Sequence, residues 1–212
     1  MRLRLLHIRN LKCPGRFFGS ITGTVEKSRD IKSLVVSNFF PDPSASAAGA
    51  RTQALLEGLS QTSLVHLVTS VPPPAKTQPS SQAVAANPDD IIEMLARQKI
   101  SWSCLPPNRS QQTKEFCPQF PDVSTILFDR FYVEEAYSFA FKEYYPESAL
   151  ILDMQDMHSL RRGREKLVKE WDVSHSGDPF LVLEQVMTHT PCADDQLLMR
   201  ELASIHRSDL TL

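Results

Sequence analysis

Short apolar runs alternate along the chain with stretches whose apolar residues recur at every third or fourth position, and this alternation predicts most of the architecture. Ser33 to Phe40, SLVVSNFF, is β-branched and aromatic and ends in Pro41-Asp42-Pro43, so it reads as a buried first strand stopped by a proline turn. Ser44 or Ser46 then caps a helix through Arg51, Leu55, Leu56 and Leu59. Leu64 to Thr69, LVHLVT, supplies a second strand, and the strand-helix-strand order implies parallel pairing with a right-handed crossover. Asp89 and Asp90 favour the start of a helix through Ile91, Ile92, Met94 and Leu95, and Ile100 to Cys104 follows as a third strand. Thr125 to Phe128 reads as a fourth strand, then an amphipathic helix runs from Val133 to Tyr145 until Pro146 stops it, and Ala149 to Leu152 is a fifth strand. Residues 71–87, rich in proline and polar residues, and residues 105–120 are expected to be loops. After Asp156 the pattern turns helical with Leu160, Leu167 and Val168 as its apolar side, and a further helix is expected from Ala193 to His206. Asp209-Leu210-Thr211-Leu212 then begins another apolar strand, so the domain is expected to be incomplete at its C-terminus. The expected fold class is α/β, a Rossmann-like doubly wound parallel sheet over residues 31–212.

Composition narrows the partners. A hydrophobic content of 42% over 212 residues suffices for one continuous core. With 23 Lys+Arg against 25 Asp+Glu the net charge is -2, which gives no global field to attract nucleic acid or an anionic membrane. No apolar run approaches the roughly 20 residues that a bilayer-spanning helix needs, so stable membrane insertion is not expected. Cys13, Cys104, Cys117 and Cys192 are scattered, without a CxxC pair or a histidine at ligand spacing, so reduced structural thiols and no metal are expected. Before Glu26 the chain carries Arg2, Arg4, Arg9, Lys12 and Arg16 and no acidic residue. Residues 1–30 therefore read either as a mitochondrial transit peptide or as an ordinary basic tail, and the expected compartment is cytoplasmic or, in the first case, mitochondrial.

In an open parallel sheet ligands bind beyond the carboxyl ends of the strands, and three such places carry candidate chemistry. Pro41 to Thr52, PDPSASAAGART, offers small residues, with Gly49 allowing a close backbone approach at a helix start and Arg51 an anion contact; a tight strand-to-helix turn fits the same residues. At the end of the fourth strand, Asp129 can hold a sugar hydroxyl or form an ion pair with Arg130, while Glu134 and Glu135 behind them can simply favour a helix start. After the fifth strand, Asp153, Asp156, His158, Arg161 and Arg162 fall within ten residues. They could supply a base, an orienting hydrogen bond and phosphate contacts, or a helix cap and a solvated face.

Four segments in order carry a resemblance: VVSNFFPDPSASAAGARTQALLEGL, PDVSTILFDRF followed by two glutamates, LILDMQDMHSLRRGR, and RELASIHRSDLTL. Together they resemble the N-terminal, acceptor-side domain of bacterial-type GT-B glycosyltransferases, over roughly residues 33–212. The resemblance implies one Rossmann-like half of a two-domain enzyme that transfers a hexosyl group from a nucleotide-sugar co-substrate to a small-molecule or glycan acceptor, with no metal or other cofactor. It implies donor-phosphate contacts at Ala48, Gly49 and Arg51, where many members have two glycines and this chain has Ala48-Gly49. It also implies that Asp156 and His158 line the acceptor cleft, where they are the expected catalytic pair; Asp129, Arg130, Asp153, Arg161 and Arg162, read from the strand ends, are the expected substrate contacts together with Gly49 and Arg51. Catalysis in that family draws on both halves, so this half alone is expected to be inactive and to meet a second domain or chain across its cleft face. A non-catalytic carbohydrate- or protein-binding domain is the alternative expectation.

Overall fold

The computed structural model describes residues 31–73, 88–174 and 195–212. Residues 1–30, most of the expected loop at 71–87, Cys13 and Cys192 lie outside them. In chain order the elements are β1 (Ser33–Ser37), α1 (Ala47–Ser60), β2 (Val65–Thr69), α2 (Pro88–Arg97), β3 (Ser101–Cys104), α3 (Ser110–Phe116), β4 (Thr125–Asp129), α4 (Phe131–Tyr144), β5 (Ala149–Asp153), α5 (His158–Ser174), α6 (Asp195–Arg207) and β6 (Leu210–Thr211). The strands form one sheet in the order β3-β2-β1-β4-β5-β6, with parallel pairing throughout. This is the doubly wound, Rossmann-like arrangement.

The two-residue period of the strands decides which helices each face receives. Leu34 and Val36 of β1, Ile126 and Phe128 of β4, and Leu150 and Leu152 of β5 share one core with Val133, Tyr137 and Phe141 of α4 and Leu197 of α6. Val35, Leu67 and Leu127 face the other way, onto Leu56 of α1 and Ile91 and Leu95 of α2. Near-continuous burial of β1, β2 and β4 is what a sheet covered on both faces demands.

Three expectations need correction. Residues 105–120 are not a loop throughout: α3 and a 3-10 turn at Cys117–Gln119 occupy most of them. Thr113, Phe116, Cys117 and Phe120 recur at helical spacing and are buried, and His66 lies against the rings of Phe116 and Phe120. The first strand ends at Ser37 rather than Phe40, because the chain turns there and buries Phe40 edge-on against Trp102. On α5, Val168 is exposed, and among the residues of that helix whose burial is described Ser159 and Gly163 are buried. Ser46 is the cap of α1, its side chain accepting the Gly49 N–H at 3.0 Å.

Candidate functional site

Strand β1 is flanked by β2 and β4, so successive connections leave it in opposite directions and open a crevice at the carboxyl ends of β1 and β4. Asp129 ends β4 there, and its carboxylate is largely buried. Oδ2 accepts the Ser37 hydroxyl at 2.7 Å and the Thr52 hydroxyl at 3.2 Å, and Oδ1 accepts the Gln155 amide at 2.6 Å. Burial pushes the Asp129 carboxyl above its ordinary range, against the opposing pull of the Ser37 hydroxyl and the Arg130 charge. With three side-chain donors on it, Asp129 ties the ends of β1, α1, β4 and β5 together.

Arg130 follows in a strained backbone conformation, φ 82° and ψ 154°, a region that residues with a Cβ seldom occupy. Its N–H donates to the Asp153 carbonyl at 2.8 Å, which fixes the end of β4 against the end of β5. The guanidinium donates to Gln155 Oε1 at 3.1 and 3.3 Å and to the Tyr132 hydroxyl at 2.6 Å, and Nε lies 3.7 Å from Asp129 Oδ1. Gln155, itself at φ 59°, thus uses both ends of one amide, donating to Asp129 and accepting from Arg130.

Arg51 and Asp153, 102 residues apart, meet as a bidentate pair with Nε and Nη2 donating at 2.8–3.1 Å. The Asp153 side chain is 0% exposed and that of Arg51 is 47% exposed, so the guanidinium covers a buried carboxylate and shows its other side to solvent. Gly49 takes no part as a cradle. A Cβ there would overlap the carbonyl oxygen of Asp42 and lie 2.7 Å from its carbon, so the chain's own turn fills the space that a phosphate would need. The expectation of ligand contact at Gly49 gives way to the turn that the same residues also allow.

Beyond β5, Asp156, His158 and Arg161 come together. Arg161 Nη1 donates to Asp156 Oδ2 at 2.8 Å, and its Nη2 lies 2.9 Å from His158 Nδ1. A guanidinium only donates, so Nδ1 accepts and the proton of the neutral ring sits on Nε2. Nε2 is 3.2 Å from Asp156 Oδ1 but is not aligned for a hydrogen bond, and it is buried without another partner. The ring stands edge-on to Phe131 and Tyr132, at 5.4 and 6.0 Å. Burial lowers the His158 pKa; Asp156 and Glu201 oppose that, while Arg161 and Arg130 add to it. Asp156 is solvent-exposed and is the carboxylate of this group best placed to take a proton from an incoming hydroxyl. Arg162 is exposed on α5.

The sequence-predicted residues Arg51, Asp129, Arg130, Asp153, Asp156, His158 and Arg161 therefore share one edge of the sheet. Sequence reasoning missed Ser37, Thr52, Tyr132 and Gln155. The one available signal was position: Gln155 sits inside the DMQDMH run, and Thr52 follows Arg51. Glu134 and Glu135 face away from the crevice toward α6, where Arg207 and Arg200 hold them.

Comparison with protein-family profiles gives no match, and comparison with curated sequences gives none. Among solved structures, the Shewanella denitrificans Kef CTD in its AMP-bound form aligns with a TM-score of 0.33 and 7% identity, over 82% of this chain and 99% of that one. Likeness at that level carries no argument, and the fold assignment stands on the strand order and register. No helix among the described residues is long and apolar enough to cross a membrane, and no group of three or more His, Cys, Asp or Glu among them could hold a metal ion.

Proposed function

We propose that the chain is the acceptor-side half of a GT-B-type glycosyltransferase, which places a small-molecule or glycan acceptor at the carboxyl edge of β4 and β5 for hexosyl transfer from a nucleotide-sugar. The observation that carries this reading is the collection of Arg51, Asp129, Arg130, Asp153, Asp156, His158 and Arg161 at the switch point of a 3-2-1-4-5-6 sheet. Phe39 adds support: it is 57% exposed in the loop after β1, on the same side of the sheet, an apolar group that a sugar face or a facing domain would cover. In this reading Asp156 accepts the proton of the acceptor hydroxyl, and His158, whose Nε2 lies 3.2 Å from Asp156 Oδ1, stands behind it as its polar neighbour. The donor phosphates and the remaining catalytic groups come from a second domain, in the same chain or another. The scattered thiols, of which Cys104 and Cys117 are free, fit a reducing compartment, cytoplasmic or, if residues 1–30 act as a transit peptide, mitochondrial.

A second reading, a carbohydrate- or protein-binding domain without catalysis, draws on a specific feature: Arg51, Asp129, Asp153 and Arg161 are each already paired within the chain. The two readings share a binding test. Isotope-labelled chain is titrated with a panel of mono- and disaccharides, and amide shifts are expected in the segments around residues 129–132 and 153–161. Asp156→Asn and His158→Ala should abolish those shifts while leaving the fold intact. Absence of shifts across the panel, or unchanged binding in both variants, refutes the site. Hydrolysis or transfer of a nucleotide-sugar, assayed with the second domain supplied, separates the transferase from the binding domain.

A further inference from the structure

Glu201 is a carboxylate on α6 with no exposed surface, and the candidate site as described makes no use of it. Its oxygens accept the Ser159 N–H at 3.2 and 3.4 Å and the Ser159 hydroxyl at 2.5 Å. Ser159 is the second residue of α5, immediately after His158. A helix leaves its first N–H groups without partners, and they are ordinarily met by a side chain just before the helix. Here a residue 42 positions away does it, and a buried carboxylate is costly to place unless such donors meet it.

The same helix grips α4. Arg207 donates to the buried Glu134 at 2.8 and 2.5 Å, Arg200 donates to Glu135 at 2.6 Å, and the Arg200 guanidinium lies 5.3 Å from the centre of the Phe131 ring, which in turn meets His158. One helix thus holds the N-termini of α4 and α5, and these carry the aromatic wall and the imidazole of the site.

We infer that Glu201 is the positioning residue of His158: by capping α5 from α6 it fixes the imidazole between Phe131, Tyr132 and Asp156. The functional meaning of this rests on the acceptor-site reading above, since Glu201 touches no substrate position. The mechanical claim stands on the capping geometry alone.

The test follows the His158 ring signal by NMR in the full chain, identified by its loss in His158→Gln, without ligand. The charged and titratable groups around that ring are Asp156 and Arg161 beside it, Arg130 and Tyr132 from the start of α4, and Glu201 and Arg200 from α6. Glu201→Gln keeps an acceptor for Ser159 but removes a charge that favours the imidazolium. The His158 midpoint is expected to fall, since Glu201 favours the imidazolium, with Ser159 amide protection retained. Glu201→Ala removes the cap, and Ser159 protection is expected to drop roughly tenfold. Where Glu201→Ala does not fold, Ser159→Ala removes the hydroxyl arm while keeping the Glu201 charge, and is expected to move the His158 ring signal. An unmoved His158 ring signal in Glu201→Ala overturns the inference, as does unchanged Ser159 protection in that variant. If these shifts appear but the saccharide panel binds nowhere, the acceptor-site reading falls and the positioning role stands. Saccharide binding with an unmoved His158 is the converse.

Discussion

Substitution of the two glycines of α1 by alanine separates a ligand cradle from a turn. At Gly49 an added Cβ would overlap the Asp42 carbonyl oxygen and lie 2.7 Å from its carbon and 3.0 Å from its nitrogen, all of them backbone atoms. Ordinary carbon contacts begin near 3.5 Å, so the 41–46 turn must retreat by roughly 1 Å. That retreat strains the turn in which Asp42 Oδ1 accepts the Ser44 N–H at 2.9 Å, the Ser44 hydroxyl at 2.6 Å and the Ala45 N–H at 3.2 Å. Overpacking of this kind costs about 1–3 kcal/mol, and losing one such hydrogen bond adds about 1 kcal/mol. Alanine's better helix propensity returns at most about 1 kcal/mol. The net loss is about 1–3 kcal/mol, a fall in Tm of roughly 3–10 °C for a chain of this size. Gly58, with nothing within 4 Å of its added Cβ, should show the opposite sign, a gain of about 0.5–1 kcal/mol and a rise of a few degrees. Thermal and urea unfolding by circular dichroism read both. A Gly49→Ala chain as stable as the wild type would refute the turn assignment, and if it also lost binding of a nucleotide-sugar, the cradle reading would be restored.

Arg207→Ala leaves the fully buried Glu134 without its guanidinium and should destabilise by about 3 kcal/mol, whereas Arg200→Ala at the exposed Glu135 pair should cost about 0.2–1 kcal/mol; urea midpoints rank the two. Burial lowers the His66 pKa to about 3, with Ser101 and Ser103 hydroxyls on its two ring nitrogens. Above about pH 6.5 the ring is neutral whether folded or unfolded. Below that the unfolded chain takes up a proton that the folded chain refuses, so stability falls toward pH 3 by up to about 1.4 kcal/mol per unit. Urea unfolding at pH 7.5 and 5 should show this loss in the wild type and a smaller one in His66→Gln. Lys99, two residues after α2, sits at φ 59°, so Lys99→Gly should stabilise by roughly 0.5–1 kcal/mol in the same assay.

Why so much of the fold was legible lies in the two periods. β1, β2 and β4 are five residues each, largely buried and mainly apolar, and the helices between strands repeat at three to four, so the order of the elements could be written from the pattern alone. What the pattern hid was α3. Its segment begins with Pro106-Pro107-Asn108-Arg109 and its helix interior is Ser-Gln-Gln-Thr-Lys, so its apolar signal is carried by three residues, Phe116, Cys117 and Phe120, at or beyond the helix end. β1 was read three residues too long for a related reason: Phe39 and Phe40 have strand propensity, but Phe40 is buried against Trp102 after the chain has turned.

Which site residues pair with which was legible only where the partners are neighbours in sequence. Asp156, His158 and Arg161 form their cluster within one helical start, and spacing alone brings them together. Arg51 and Asp153 meet because α1 begins and β5 ends at the carboxyl edge of the sheet, and Asp129 collects Ser37, Thr52 and Gln155 from three separate segments; neither arrangement has a local signature. Pairing also changes what a residue can do. Arg51, read as an anion contact, already covers a buried carboxylate, so a phosphate would have to compete with Asp153 for the same fork. Asp129, read as a sugar contact, is wrapped by three donors and works as the joint between strand ends. Asp156 keeps solvent access, so at the β5 end, where the sequence had set the catalytic pair, an exposed carboxylate stands beside an imidazole of fixed tautomer.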